Sequence, residues 1–251
     1  MPVLSIDPDR RSALDPLELY ASAIDTSDYV ARVAPLVRRA VPDVGELLDV
    51  GAGGGQLGSA LRDPLRRWTA IEPCPTMRRR LANLFAPPLI IAEPWTNAEI
   101  GLKRHDTVLA ATMPALLETP EAFFAQCRAW ARRTVIWVVP SQVGPRGLCF
   151  AGCLPAAWHG EDETPGIEVV LAGLPHALRP HEIAFADWTF SGVVDDLRRL
   201  STYLADRLGW PGEDARRIKL AEHLAAQAVP DATGFRLNIP RKSAVLAWRV
   251  Q

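Results

Sequence analysis

The run Asp49-Val50-Gly51-Ala52-Gly53-Gly54-Gly55-Gln56 holds the most chemically suggestive spacing in this chain. Glycine costs backbone entropy, so a cluster of it serves backbone shapes or close approaches that a β-carbon forbids. The run follows the short apolar stretch "ELLDV" and leads into a helical pattern from Gln56 to Arg62. At such a strand-to-helix turn, backbone can come close to a ligand, and the amides at the helix start favour negative groups. A dinucleotide loop reads G-x-G-x-x-G, or carries alanine at its last position. Here Gln56 stands at that position, so an NAD-dependent oxidoreductase ranks last among the readings. What remains is an alternation, Asp49-x-Gly51-x-Gly53-x-Gly55, whose plain alternative is a tight turn with no ligand.

Other reactive residues are sparser. The histidines are His105, His159, His176, His181 and His223. His159, in "AAWHGEDE", is the one candidate for a general base on an acceptor's side, and a solvated loop histidine is the commoner explanation of such a residue. Cys149 and Cys153, with His159 six residues on, lack the paired C-x-x-C spacing of zinc sites, so no metal is expected and the two thiols read as small apolar packing groups. Arginine runs such as Arg78-Arg79-Arg80 fall in helical patterns and read as solvated faces.

The D-x-G-x-G-x-G pattern at the end of a first strand resembles that of the class I S-adenosylmethionine-dependent methyltransferases. Further positions carry the resemblance. Glu72 ends the strand-like "WTAIE", 21 residues after Gly51, where that family places an acid on both ribose hydroxyls. A carboxylate suits a vicinal diol because its two oxygens accept two hydrogen bonds together. Glu93, in "IIAEPW", matches an acid after the third strand that takes the adenine amino group, although the family's usual residue there is aspartate. "DTVLAATMP" matches the fourth motif and assigns Ala111, Thr112 and Met113 to the methionine side. The resemblance spans about residues 27 to 140. It implies a cofactor wall of Asp49, Gly51, Ala52, Gly53, Gly55, Gln56, Glu72, Pro73, Met77, Glu93, Pro94, Trp95, Ala111, Thr112 and Met113. Trp95 reads equally as core or as an aromatic wall beside adenine. The implied cosubstrate is S-adenosyl-L-methionine, with S-adenosyl-L-homocysteine as product.

The acceptor is less legible. The Asn-Pro-Pro-Tyr signature of resembling amino-group methylases is absent, and "ATMP" stands in its place. The segment "GLCFAGCLPAAW" with Trp158, together with Trp188, Tyr20 and Tyr29, reads as an apolar, aromatic substrate side. That favours a small organic acceptor. The rivals are a protein or RNA methyltransferase docking on the arginine-rich helices, and a non-catalytic S-adenosylmethionine-binding regulator.

The elements that must position these residues follow a βα rhythm. Strands are expected at "ELLDV", "WTAIE", "PLIIAE", "DTVLAAT" and "TVIWVV", with helices at 15–24, 27–41, 56–62, "TMRRRLANLF" and a well-capped "TPEAFFAQCRAWARR". Short apolar strands alternating with helices predict a doubly wound α/β fold with a mostly parallel, seven-stranded sheet and helices on both faces. After Pro140 come an irregular substrate-side loop at 141–165, a helix at 166–178, a strand "HEIAFADWTF", an amphipathic helical pair at 192–229, and the closing strand "AVLAWRV". This divides the chain into an N-terminal helical cap (1–42), a cofactor-binding α/β core (43–140) and a C-terminal part (141–251). The helical pair is expected to cap the pocket. At 251 residues, net charge −1, 48% hydrophobic and 23% charged residues, the composition is that of a soluble globular protein without a basic nucleic-acid face. No signal-like or membrane-spanning apolar run is present, so a cytoplasmic location, without membrane or nucleic-acid partners, is expected. Oligomeric state is left open.

Overall fold

The computed structural model describes residues 14–146 and 150–250. Helix α1 (Pro16–Thr26) starts where Asp15 caps it. The carboxylate accepts the Leu17 and Glu18 amides, and Pro16 fills the first turn, where no donor is needed. Helix α2 (Tyr29–Ala40) follows after a two-residue break. Strand β1 (Leu47–Val50), fully buried, leads into the glycine turn and helix α3 (Gln56–Leu61). Then come β2 (Trp68–Ile71), α4 (Pro75–Ala82), β3 (Leu89–Ile91), β4 (His105–Ala111) and the short α5 (Ala115–Glu118), a turn of helix the sequence reading did not anticipate. Helix α6 (Pro120–Trp130) is preceded by Thr119, whose side chain makes no capping bond, contrary to the expected good cap. Strand β5 (Ala131–Pro140) closes the first half.

The expected helix at 166–178 is shorter in the structure. After α7 (Ala156–His159), α8 runs Gly166–Ala172, and a separate 3₁₀ turn covers His176–Leu178. Strand β6 (Glu182–Val194) outlasts its expected end by four residues, so the inserted pair is α9 (Leu197–Arg207) and α10 (Arg216–Gln227). A short β7 (Val229–Asp231) turns into β8 (Gly234–Arg249), much longer than the expected "AVLAWRV".

The main path of the sheet is β3-β2-β1-β4-β5-β8-β6, with β7 paired to β8 as an eighth strand. Strands β1 to β5 pair in parallel, while β8 runs antiparallel to β5, β6 and β7. Helices cover both faces, giving two buried clusters. One joins α1, α2, α3, α9 and α10 to the sheet through residues such as Val33, Leu61, Leu204 and Leu224. The other joins α6 and α8 to its opposite face through Phe123, Trp137, Val170 and Leu246. Order reverses between β1 and β4, and at such a switch point ligands bind beyond the carboxyl ends of the strands. Among the described residues no helix is long and apolar enough to cross a membrane.

Candidate functional site

The three alternating glycines all adopt left-handed backbone, with φ of 66° at Gly51, 56° at Gly53 and 80° at Gly55. Only glycine does this without steric cost. Their surroundings assign them different tasks. A β-carbon on Gly53 would meet nothing within 4 Å, so its backbone faces open space. On Gly51 it would come 3.1 Å from the Met113 sulfur, and on Gly55 only 2.6 Å from Leu81. Gly53 borders room for a ligand, whereas Gly55 lets the loop seat on Leu81, Leu84 and Trp68.

A cavity of about 290 Å³ opens beside Gly53. Its floor is the strand ends: Asp49, Gly51, Ala52, Gly53 and Gln56 after β1, then Glu72, Pro73 and Met77 after β2. Pro94 and Trp95 follow from the end of β3, and Ala111, Thr112 and Met113 from the end of β4. The roof is helical, with Leu17, Tyr20, Ala21 and Ile24 of α1, and Tyr29 of α2.

The acids in this cavity are set by burial. Glu72 lies 6% exposed, and its two oxygens accept the Gly53 and Cys74 amides, each at 2.8 Å. Burial raises its carboxyl, and those two bonds oppose the rise. Asp49 is buried, and desolvation, with the Glu72 charge second, pushes it up to about 7. Burial also holds the Tyr29 phenol well above its ordinary value, and its hydroxyl makes no hydrogen bond among the described residues. Thr112 sits at φ 52°, rare for a β-branched residue, and its hydroxyl lies 3.3 Å from that of Tyr20.

The roof is held down from below. Arg80 on α4 pairs with Glu18 at 2.5 Å and also with Asp25, both on α1. Gln56 Nε2 donates to Asp25 Oδ1 at 2.7 Å, so the side chain that spoils the dinucleotide pattern ties the glycine loop to α1. At the other end Thr26 donates to the Ser191 carbonyl, and Asp28 accepts the Thr189 amide, docking the helical pair on β6.

Several residues assigned to the site stand away from the cavity walls. Gly55 packs behind the loop, and Glu93 is exposed to solvent. Trp188 lies one layer back, its ring 4.8 Å from that of Tyr29 and its indole donating to Ser243 Oγ. Trp158 packs against Trp210 and His223 of the helical insertion. His159 is buried within its own loop, with Nδ1 accepting the Glu161 amide and Nε2 3.4 Å from Glu163. It is neither a solvated loop residue nor part of the cavity. Of the segment expected at the pocket mouth, Phe150, Ala151, Cys153 and Leu154 are buried, with Phe150 lying over Gly192 of β6, whereas Pro155, Ala156 and Ala157 are exposed. Cys149 falls outside the described residues. Among those described, no group of three potential metal ligands gathers.

The helical insertion does not roof the cavity. Its apolar stripes bury Leu200, Leu204, Leu220 and Leu224 in the core, while α1 covers the site. The sequence reading missed Leu17, Ala21 and Ile24 of that cover. Together with Tyr20 they repeat at the i, i+3, i+4, i+7 spacing of one helix face, a signal present in the sequence. Cys74 and Pro114, also on the wall, follow motifs that were noticed and gave no signal of their own.

No family model matches this chain, and no curated protein matches it. Among solved structures it is similar to a protein from Bacillus halodurans C-125 described as a methyltransferase, with 12% identity over 86% of this chain and 97% of that one, and a TM-score of 0.51. It is also similar to a protein from Anaeromyxobacter dehalogenans described as a type II methyltransferase, with 19% identity over 87% and 96% of the two chains, and a TM-score of 0.54. A third structure, concerned with conversion of a disulfide bond into a thioacetal group during echinomycin biosynthesis, gives 12% identity over 88% and 82%, and a TM-score of 0.51. At these identities the likeness is one of fold.

Proposed function

From that fold, the Rossmann-like architecture of the class I methyltransferases, we propose that the chain is an S-adenosyl-L-methionine-dependent methyltransferase acting on a small organic acceptor. The observation that carries this reading is the open space at Gly53, whose amide is held on a buried Glu72 carboxylate at the mouth of a capped cavity. The residues present fit the cosubstrate. Each Glu72 oxygen takes one amide and keeps further acceptor capacity for a ribose diol. Asp49 supplies negative charge for a cationic methionine portion, and the Trp95 ring lies on the wall beside the end of β3. When bound, S-adenosyl-L-methionine supplies a methyl group on a positively charged sulfur, already activated for in-line displacement.

The work of the protein is then orientation and exclusion of water. Fixing two reactants in line removes much of the barrier by itself. The apolar roof of Leu17 and Ile24 keeps water from the reacting groups, and the rigid turn at Thr112 fixes the wall opposite α1. Among the described residues no histidine or lysine lines the cavity, which leaves the carboxylates of Asp49, poised near neutrality, and Glu72, or solvent, to take an acceptor proton. A small acceptor fits better than a protein or RNA strand, because α1 closes over the site and is anchored by Arg80.

Calorimetry tests this reading with S-adenosyl-L-methionine, S-adenosyl-L-homocysteine and NAD. Binding of the first two, followed by methyl transfer to members of a small-molecule acceptor panel, is the expected result. Tight binding of NAD instead would overturn it, and binding of the sulfonium without any turnover would favour the regulatory reading.

A further inference from the structure

A second concavity, of about 280 Å³, lies at the opposite edge of the sheet, where β5 begins and β8 ends. Its floor is aromatic, made by the buried rings of Phe124 and Trp248, whose centroids are 4.8 Å apart. Around it stand Arg128 from the end of α6, Arg179 and His181 from the approach to β6, and Arg249 from the end of β8. Elsewhere arginines are commonly satisfied: Arg132 pairs with Glu46 and Asp106, and Arg217 with Asp206. Among the described residues the guanidiniums of Arg128, Arg179 and Arg249 have neither ion pair nor hydrogen bond. The nearest acid in sequence, Glu182, is in register with Ala247 and so lies on the other face of the sheet from Trp248. The Arg249 amide donates to His181 Nδ1, which leaves Nε2 to carry the ring proton and act as a donor. The Trp248 indole N–H is already used by the Leu178 carbonyl.

The side chains of this rim therefore offer donors and positive charge over an apolar floor of two tilted aromatic rings. We propose that it is a second binding site, separate from the methyl-transfer cavity, for a small molecule carrying a phosphate or carboxylate on a planar apolar body. Guanidinium forks take either anion through paired hydrogen bonds, and the cleft of the two tilted rings offers apolar contact to the flat part of the ligand.

Phenyl phosphate and benzoate serve as probes of the two anion types, with inorganic phosphate and phenol as half-ligands. Binding is followed in the ¹⁵N-labelled protein at low ionic strength through the Trp248 indole signal, assigned with Trp248→Phe. Saturable binding of either probe, at least tenfold tighter than its half-ligands and at least tenfold weaker in an Arg179→Gln/Arg249→Gln double variant, is the expected result. Stronger salt should weaken it, since the groups are exposed. These side chains make no internal bonds, so the variant should melt with the wild type. No saturable shift at Trp248 with either probe, or equal binding by the double variant, would overturn the proposal. S-Adenosyl-L-homocysteine binding is measured separately and is expected to be unchanged in the variant, so this site stands or falls independently of the proposed activity.

Discussion

The Glu72 carboxylate and the Gly53 amide, 19 residues apart in sequence, meet at 2.8 Å across the mouth of the cavity. The acid expected to hold a ribose is thus also a brace for the glycine loop. Its second oxygen fixes the Cys74 amide at the start of α4 in the same way.

Glu72→Ala should therefore act on both binding and stability. Loss of a charged hydrogen-bond acceptor is worth about 1.5–3 kcal/mol, so affinity for S-adenosyl-L-homocysteine should fall roughly 10- to 150-fold. The two amides lose their partners, and a lower melting temperature should accompany the weaker binding. Calorimetry and thermal melting on the same preparation check this. Full affinity in a destabilised variant would leave Glu72 a brace alone.

The glycines predict a contrast. Gly53→Val places a side chain in open cavity space, at a cost of about 1–2 kcal/mol for left-handed backbone, and should chiefly abolish cosubstrate binding. Gly55→Val drives a side chain into Leu81 and Leu84 in addition to that backbone cost, so it should lose about 1–3 kcal/mol more. Denaturant unfolding ranks the two. Equal stabilities would contradict the division of roles.

Asp49 should make stability depend on pH. Its folded value is about 7, against an ordinary 3.8, because of burial and the Glu72 charge. A raised value means that the proton stabilises the folded state, so the contribution is complete below about pH 4 and is lost as pH rises toward 7. In that window stability should fall by up to about 1.4 kcal/mol per pH unit, and Asp49→Asn should flatten the slope. By the same linkage a cationic ligand should bind more tightly near pH 8 than near pH 6, releasing a proton. Urea titrations across this range, paired with calorimetry in buffers of different ionisation heat, measure both. An unchanged slope in Asp49→Asn would remove Asp49 as its source.

The anchoring of α1 is testable through Arg80. Arg80→Ala removes the bridge to Glu18 and Asp25 while leaving every cavity wall in place. Partly exposed pairs are each worth about 0.2–1 kcal/mol, so losing both should quicken ligand dissociation about 2- to 30-fold, with at most a small drop in melting temperature. Stopped-flow release of S-adenosyl-L-homocysteine reports it. Release at the wild-type rate would mean that α1 does not gate the site.

The local elements were legible in this sequence because their causes are local. Alternating glycines at a strand end permit one kind of turn, Asp15 before Pro16 starts a helix, and apolar runs split by helical patterns build a parallel sheet. The role expected of Glu72 came from the family resemblance that the glycine motif carries, at the end of a strand legible in the sequence. Partners across the chain were decided only by the tertiary structure. An amphipathic stripe states that a helix buries one face, without stating against what. Thus α9 and α10 bury theirs in the core, while the stripe Leu17, Tyr20, Ala21 and Ile24 roofs the cavity. The reason is long-range. Arg80, Gln56 and the β6 backbone, far from α1 in sequence, supply the charges and hydrogen bonds that hold it there. Likewise Trp158 went with the insertion, and Glu93 turned to solvent, through packing that no short stretch of sequence encodes.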